Sequence, residues 1–276
     1  MKKIFLSSFL MAALAFTSQA QSDFKMPAPS PTATIQQDFS TTFISVEYSR
    51  PSVKGRKIFG DFIPYGNLWR TGANAATKLT FGEEVIIGGK KIPAGSYSLY
   101  TIPGQKEWTV IINKNTGNWG ASGFDEKDDL VRVKVPVEKL NKPVETFTIA
   151  IENITPTSSD LTLAWEATKI SVPVKADNDE RIMKWLDNAL RGDKPPYQQA
   201  ANYYLENGKD LGMALEYITK AADENPKGFW LLWTKAQILN KLGKKAEAVK
   251  EAEKAVKLTT GTPYEKEYMT KLKSLK

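Results

Sequence analysis

The chain contains no cysteine and no histidine. Without cysteine there are no disulfides, no thiolate nucleophile and no Cys-ligated metal. Without histidine there are no Ser-His-Asp or Cys-His triads, no paired-His zinc site, and no ordinary general base near neutral pH. No Asp-x-Asp-x-Asp-Gly loop is present to hold Ca²⁺. The acidic run Asp125-Glu126-Lys127-Asp128-Asp129 reads as a solvated loop. No metal and no cofactor are therefore expected. Nor is there any apolar run of the roughly 20 residues needed to cross a bilayer, so no membrane span is expected in the mature chain.

Concentrated charge of one sign is lacking too. The formal net charge is +7, but residues 21–175 carry 18 basic and 16 acidic groups, and residues 176–276 carry 18 and 15. Neither part has the basic excess of a nucleic-acid footprint, so no nucleic-acid partner is expected.

What is present is an ordinary globular composition, 41% hydrophobic and 25% charged, in 276 residues. That length accommodates two ordinary domains. Lys2 and Lys3 precede the short apolar run Ile4 to Phe16, and Ser18 and Ala20 are small. This layout predicts a signal peptide over 1–20, cleaved after Ala20, and a periplasmic or secreted protein. Residues 21–34 read as an extended leader, because Pro27, Pro29 and Pro31 remove backbone donors and forbid helix.

Residues 35–175 carry about ten short strand candidates. Thr42 to Tyr48, Leu130 to Val137, Phe147 to Ile151, Leu161 to Trp165 and Ile170 to Val174 all alternate. Gly88-Gly89 between Glu84–Ile87 and Lys90–Ile92 is a two-residue hairpin signature. Many short strands with no helix between them predict an antiparallel β-sandwich, with a closed barrel as second choice. From residue 176 the pattern turns helical, starting at Asp177-Asn178-Asp179. Ala214-Leu215, Lys220 and Ala221 recur as Ala248-Val249, Lys254 and Ala255 at an offset of 34. That period is the one of tetratricopeptide helix pairs, so residues 176–276 are expected to form tetratricopeptide-like hairpins with a closing helix over Glu265 to Leu275. The fold class is thus mixed: an all-β unit followed by an α-helical one.

The unusual chemistry is concentrated between Tyr48 and Thr77, in YSRPSVKGRKIFGDFIPYGNLWRTGANAAT. This stretch has poor periodicity, several glycines, and the cations Arg50, Arg56 and Arg70 among Tyr48, Phe59, Phe62, Tyr65 and Trp69. Long structured loops of this kind often carry function. Two uses fit it. As a recognition surface, arginine forks match carboxylates or phosphates and aromatic faces stack on sugars or peptides. As structure, Arg and Asn satisfy loop carbonyls while the aromatics pack. Ligand-binding candidates are Arg50, Arg56, Asp61, Trp69, Arg70 and Asn74; no catalytic residue is assigned. Trp119-Gly120-Ala121 is a second candidate for the same end of the β unit, although core packing is the simpler use of Trp119.

The run GRKIFGDFIPYGNLWRTGANAAT, followed by IGGKKIPAGSYSLYTIPGQKEWTVIINKNTGNWGA, resembles the exported bacterial family known as domain of unknown function 2911. The resemblance extends from about Ile35 to Val174, and its Trp-Arg-Thr-Gly-Ala-Asn core is specific. It implies a secreted or periplasmic protein, often with tetratricopeptide-like helices after the β unit, and it supplies no activity. Arg50, Arg56, Trp69, Arg70, Gly72 and Asn74 match the motif and mark its shared centre. The expected function is an exported binding and assembly protein. An envelope protein or peptide would sit in the helical groove, and a glycan or carboxylate ligand at the β loop. The alternative is a His-independent hydrolase of cell-wall or glycan substrates working through carboxylates such as Asp61 and Glu47.

Overall fold

Alternation of apolar and polar residues governs the first 150 or so described positions and gives way to helical spacing afterwards. A computed structural model describes residues 26–276; the expected signal peptide and the first residues of the leader lie outside it. The described chain divides into two compact units, one running to Asp177 and the other from Asn178 to Lys276.

Among the described residues the first unit holds nine strands. They are β1 (Thr32–Phe39), β2 (Thr42–Ser49), β3 (Ala73–Phe81), β4 (Val85–Ile87), β5 (Lys90–Ile92), β6 (Gly95–Ile102), β7 (Glu107–Asn113), β8 (Asp129–Glu152) and β9 (Ser158–Lys175). Every pairing is antiparallel, in the order β1-β2-β3-β6-β7-β8-β9-β4-β5. The Gly-Gly hairpin forms as the sequence predicts: Ile87 pairs with Lys90, and Gly88 and Gly89 have φ of 58° and 78°.

The strands differ from the expected short series in two respects. β1 begins at Thr32, so Thr32 to Thr34 are strand and not leader. And two pairs of expected strands are each one long strand. β8 pairs with β7 through Asp129 to Pro136 and with β9 through Val137 to Glu152. Between Lys139 and Val144 the register slips, which lets one strand bend from one part of the sheet into the other. In β9 the buried positions switch from Leu161, Leu163 and Trp165 to Ile170, Val172 and Val174. Glu166, at φ 54°, sits where the phase changes.

The sheet also folds back on itself. Beyond β2, the Phe147 amide donates to the Pro51 carbonyl at 2.8 Å and the Val53 amide to the Glu145 carbonyl at 2.8 Å. This ties the segment after β2 to β8, four places away in the strand order, around one core, which contains Val46, Leu79, Leu99, Val110, Phe147, Leu163 and Val172.

The second unit holds six helices: α1 (Asp179–Ala189), α2 (Tyr197–Glu206), α3 (Leu211–Glu224), α4 (Phe229–Lys241), α5 (Lys245–Thr259) and α6 (Glu265–Leu275). Consecutive helices pack from α2 onward. The Asp210 carboxylate caps α3, accepting from the Gly212 and Met213 amides at 2.7 and 3.1 Å. The repeated alanines Ala214, Ala221, Ala248 and Ala255 are all buried, where a larger side chain would hold neighbouring helices apart. Among the described residues no helix is long and apolar enough to cross a membrane.

Candidate ligand-binding cleft

The motif-rich segment between β2 and β3 is fixed by its aromatic side chains. Trp69 is buried and sits among Phe59, Trp108, Phe147 and Trp165, with ring centroids 5.1 to 6.0 Å away. Its indole Nε1 donates to the Gly72 carbonyl at 3.0 Å. Its backbone exchanges two hydrogen bonds with Thr101 of β6, at 2.7 and 2.9 Å. Trp69 is therefore the anchor of the loop, and only part of it reaches the surface.

Just after it the backbone turns sharply. Thr71 has φ 58°, Gly72 φ 147° and Asn74 φ 60°. A Cβ on Gly72 would lie 3.0 Å from the Ser49 carbonyl oxygen and 3.2 Å from Thr77 Oγ1, so any side chain here is both crowded and strained. The buried hydroxyls of Thr71, Thr77 and Thr101 hold this turn: Thr71 Oγ1 lies 3.0 Å from Thr101 Oγ1, and Thr77 Oγ1 donates to the Thr71 carbonyl.

The three arginines have different surroundings. Arg50 is consumed by the fold. Its Nε donates to the Phe147 carbonyl at 3.0 Å and its Nη2 to Thr148 Oγ1 at 2.8 Å, pinning the end of β2 to β8. Arg56 is exposed and partly occupied. Its Nε and Nη2 donate to the Val53 and Ser52 carbonyls at 2.9 and 2.6 Å, and its guanidinium covers the Phe62 ring at 4.1 Å. Arg70 has neither arrangement. Its Nε is buried and has no hydrogen-bond partner, and no carboxylate pairs with it among the described residues. An unsatisfied buried donor of this kind typically costs about 1–3 kcal/mol. Gly120 lies flat against it: a Cβ there, at φ 71°, would come 3.0 Å from Arg70 Nη1.

These groups surround a cleft of about 660 Å³ in the β unit. Lys54, Arg56 and Arg70 supply its cations, and Phe62, Trp69 and Trp165 supply aromatic surface. Pro29 and Ser30, from the chain just before β1, and Gly72 and Asn74, from the strained turn, complete much of the wall. No acidic residue lines it. The nearby carboxylates face backbone amides instead: Glu145 accepts from the Lys54 amide at 2.9 Å and Glu166 from the Ile58 amide at 3.2 Å. Lys54, like Asn74, is held at positive φ, 50°.

The structure thus brings Arg56, Trp69, Arg70 and Asn74 to one cleft. Asn74 there donates to Ser49 Oγ at 3.1 Å. Arg50 and Asp61 do not line it; Asp61 is exposed in the loop. Glu47 is exposed on β2 and also lies outside the lining, so the two carboxylates of the hydrolase alternative do not meet there. Among the described residues no cluster of three metal-ligating side chains occurs. Trp119 corrects the expectation of core packing, since it is 72% exposed, while its neighbour Gly120 does reach Arg70. Sequence reasoning missed Lys54 and the Pro29-Ser30 wall. The Lys54-Gly55 pair, a turn of two positive-φ residues a few positions after β2, was the available signal for the first.

Together these features define a class: an antiparallel β unit with a cationic, partly aromatic cleft, followed by a helical unit. A family model described as "Protein of unknown function (DUF2911)" matches residues 30–174, a span that holds every lining residue of the cleft except Pro29. The chain belongs to that family. No curated protein and no solved structure matches it.

Proposed function

We propose that the protein is an exported binding and assembly protein whose β unit holds a ligand in this cleft. One observation carries the reading: three cationic side chains line a cleft that contains no carboxylate. Export is supported by the Lys2-Lys3 start, the short apolar run and Ala20. The consecutive helix pairs and the buried alanines at an offset of 34 support a tetratricopeptide-like arrangement, whose usual use is to present a concave surface to a peptide segment.

Capture from an envelope extract tests this reading. Full-length mature chain, residues 21–276, is crosslinked after incubation, and the bound fraction is analysed for peptides and glycans. The same is done with Arg70→Gln. A ligand retained by the first and lost from the second is the expected result. Identical bound fractions would remove the cleft from the account.

A further inference from the structure

We propose that the cleft is an oxyanion site with Arg70 as its anchor, taking a ligand that carries a carboxylate, sulfate or phosphate group. The proposal rests on the binding reading above and specifies its chemistry.

Three observations converge on Arg70. First, its buried Nε has no partner. Two other buried polar atoms share that condition, Trp108 Nε1 and Ser159 Oγ, but neither is charged and neither lines the cleft. A cationic side chain whose buried donor is left empty is poorly placed unless something else completes it. Second, its surroundings hold it in a fixed place at the cleft wall. Gly120 packs where any larger residue would push the guanidinium aside. The turn that follows Arg70 is held by buried threonine hydroxyls and by a glycine whose replacement would be crowded and strained. Strained backbone maintained by such contacts is typical of ligand clamps. Third, Lys54 and Arg56 stand at the same cleft without carboxylate partners. Arg56 has already spent Nε and Nη2 on carbonyls, so its role is to add field and one remaining edge. Cations collected in a cleft with low-dielectric walls concentrate an anion there.

A planar fork of donors matches the paired oxygens of a carboxylate, and it matches phosphate or sulfate equally well. Arg70 supplies the fork, and the rim cations supply attraction. The aromatic surface of Phe62 and Trp69 receives the uncharged body of the ligand.

The test uses uniformly ¹⁵N-labelled mature chain and three probes: inorganic phosphate, sulfate and succinate, each against a chloride control of equal ionic strength. The Trp69 indole and Arg70 Nε–Hε signals report. At least one probe is expected to move both signals saturably, and the order of the three separates phosphate-like from carboxylate-like ligands. In Arg70→Gln the Trp69 signal should respond about tenfold more weakly or not at all, the loss expected of one charge-assisted pair. Arg56→Gln should weaken the response only a few fold. The ligand-free Arg70→Gln protein should melt no lower than the parent chain, since no bond is lost and like-charge crowding is relieved. A melting point lower by more than about 5 °C would assign Arg70 to structure and overturn the proposal. Signals unmoved by all three probes would overturn it as well. If extract capture still depends on Arg70 in that case, the binding reading survives without the oxyanion; if capture fails too, both fall.

Discussion

The cleft of the β unit and the surface of the helical unit treat their cations in opposite ways. In the helical unit several lysines and an arginine find carboxylates one helical turn away. Arg191 meets Asp187 at 2.6 Å, Lys220 meets Glu216 at 2.6 Å, Lys254 meets Glu251 at 2.9 Å and Lys271 meets Glu267 at 2.6 Å. Around the cleft of the β unit Lys54, Arg56 and Arg70 have no such partner, and the neighbouring carboxylates are committed to amides. The difference is not one of composition, since the two parts carry almost the same balance of charge. Pairing on a helix comes from spacing alone and stabilises the element that carries it. Leaving cations together in a concavity opposes folding, so the arrangement has to be held by something stronger, here the aromatic cluster beneath it.

Removing that support is the most severe way to break the contrast. Trp69→Ala empties a buried site among four aromatic rings and is expected to destabilise the β unit by about 3–5 kcal/mol, read as an early transition in urea. Arg50→Ala separates the structural arginine from the cleft arginine. It leaves the Phe147 carbonyl without its guanidinium donor and should cost about 1–3 kcal/mol by the same measurement, while ligand capture by the folded protein persists.

A third prediction concerns pH in the helical unit. Lys209 and the Tyr203 hydroxyl both donate to Asp179, at 2.7 and 2.6 Å, and hold its carboxyl below the usual value. Burial first, then the hydrogen bond to Asp179 and its charge, pushes the Tyr203 phenol up. Because the folded pKa of Asp179 is depressed, its contribution is complete above the unfolded value of about 3.9 and disappears as pH falls through the lower folded value. Thermal melts below about pH 4 should therefore show a loss of helical-unit stability that Asp179→Asn lacks. The smallest effect belongs to an ordinary helix pair. Lys254→Gln should change stability by no more than about 0.5 kcal/mol, and added salt should erase even that.

Much of the fold was legible because its signals are local. The Gly-Gly turn, the alternating valines of β8 and the alanines at an offset of 34 each state their own structure within a few residues. The joining of expected strands into β8 and β9 was not, because a bulge interrupts alternation much as a turn does. In β9 the buried set moves from odd to even positions at Glu166, a phase flip that distinguishes the two only once pairing is known. The site was legible as a list of residue types and not as an arrangement. Arg50 and Arg70 look equivalent in sequence, yet the carbonyl that occupies Arg50 is 97 positions away and the glycine that flanks Arg70 is Gly120. No local pattern records which arginine the tertiary fold will consume. Trp119 shows the same limit, since an indole in a loop carries no mark of which way it will face.

The closure of the sheet between Ser52 and Thr146 also sets an order of events. These residues meet across 94 positions, and their contact forms the part of the wall to which Pro51, Ser52 and Lys54 belong. A chain emerging from its N-terminus can pair β1 with β2 almost at once, but that wall waits until β8 is nearly complete. Contacts of such long sequence separation are slow to form, so the cleft is among the last features of the unit to be acquired. A chain halted before Thr146 would hold every one of the cleft arginines and have nowhere to put them.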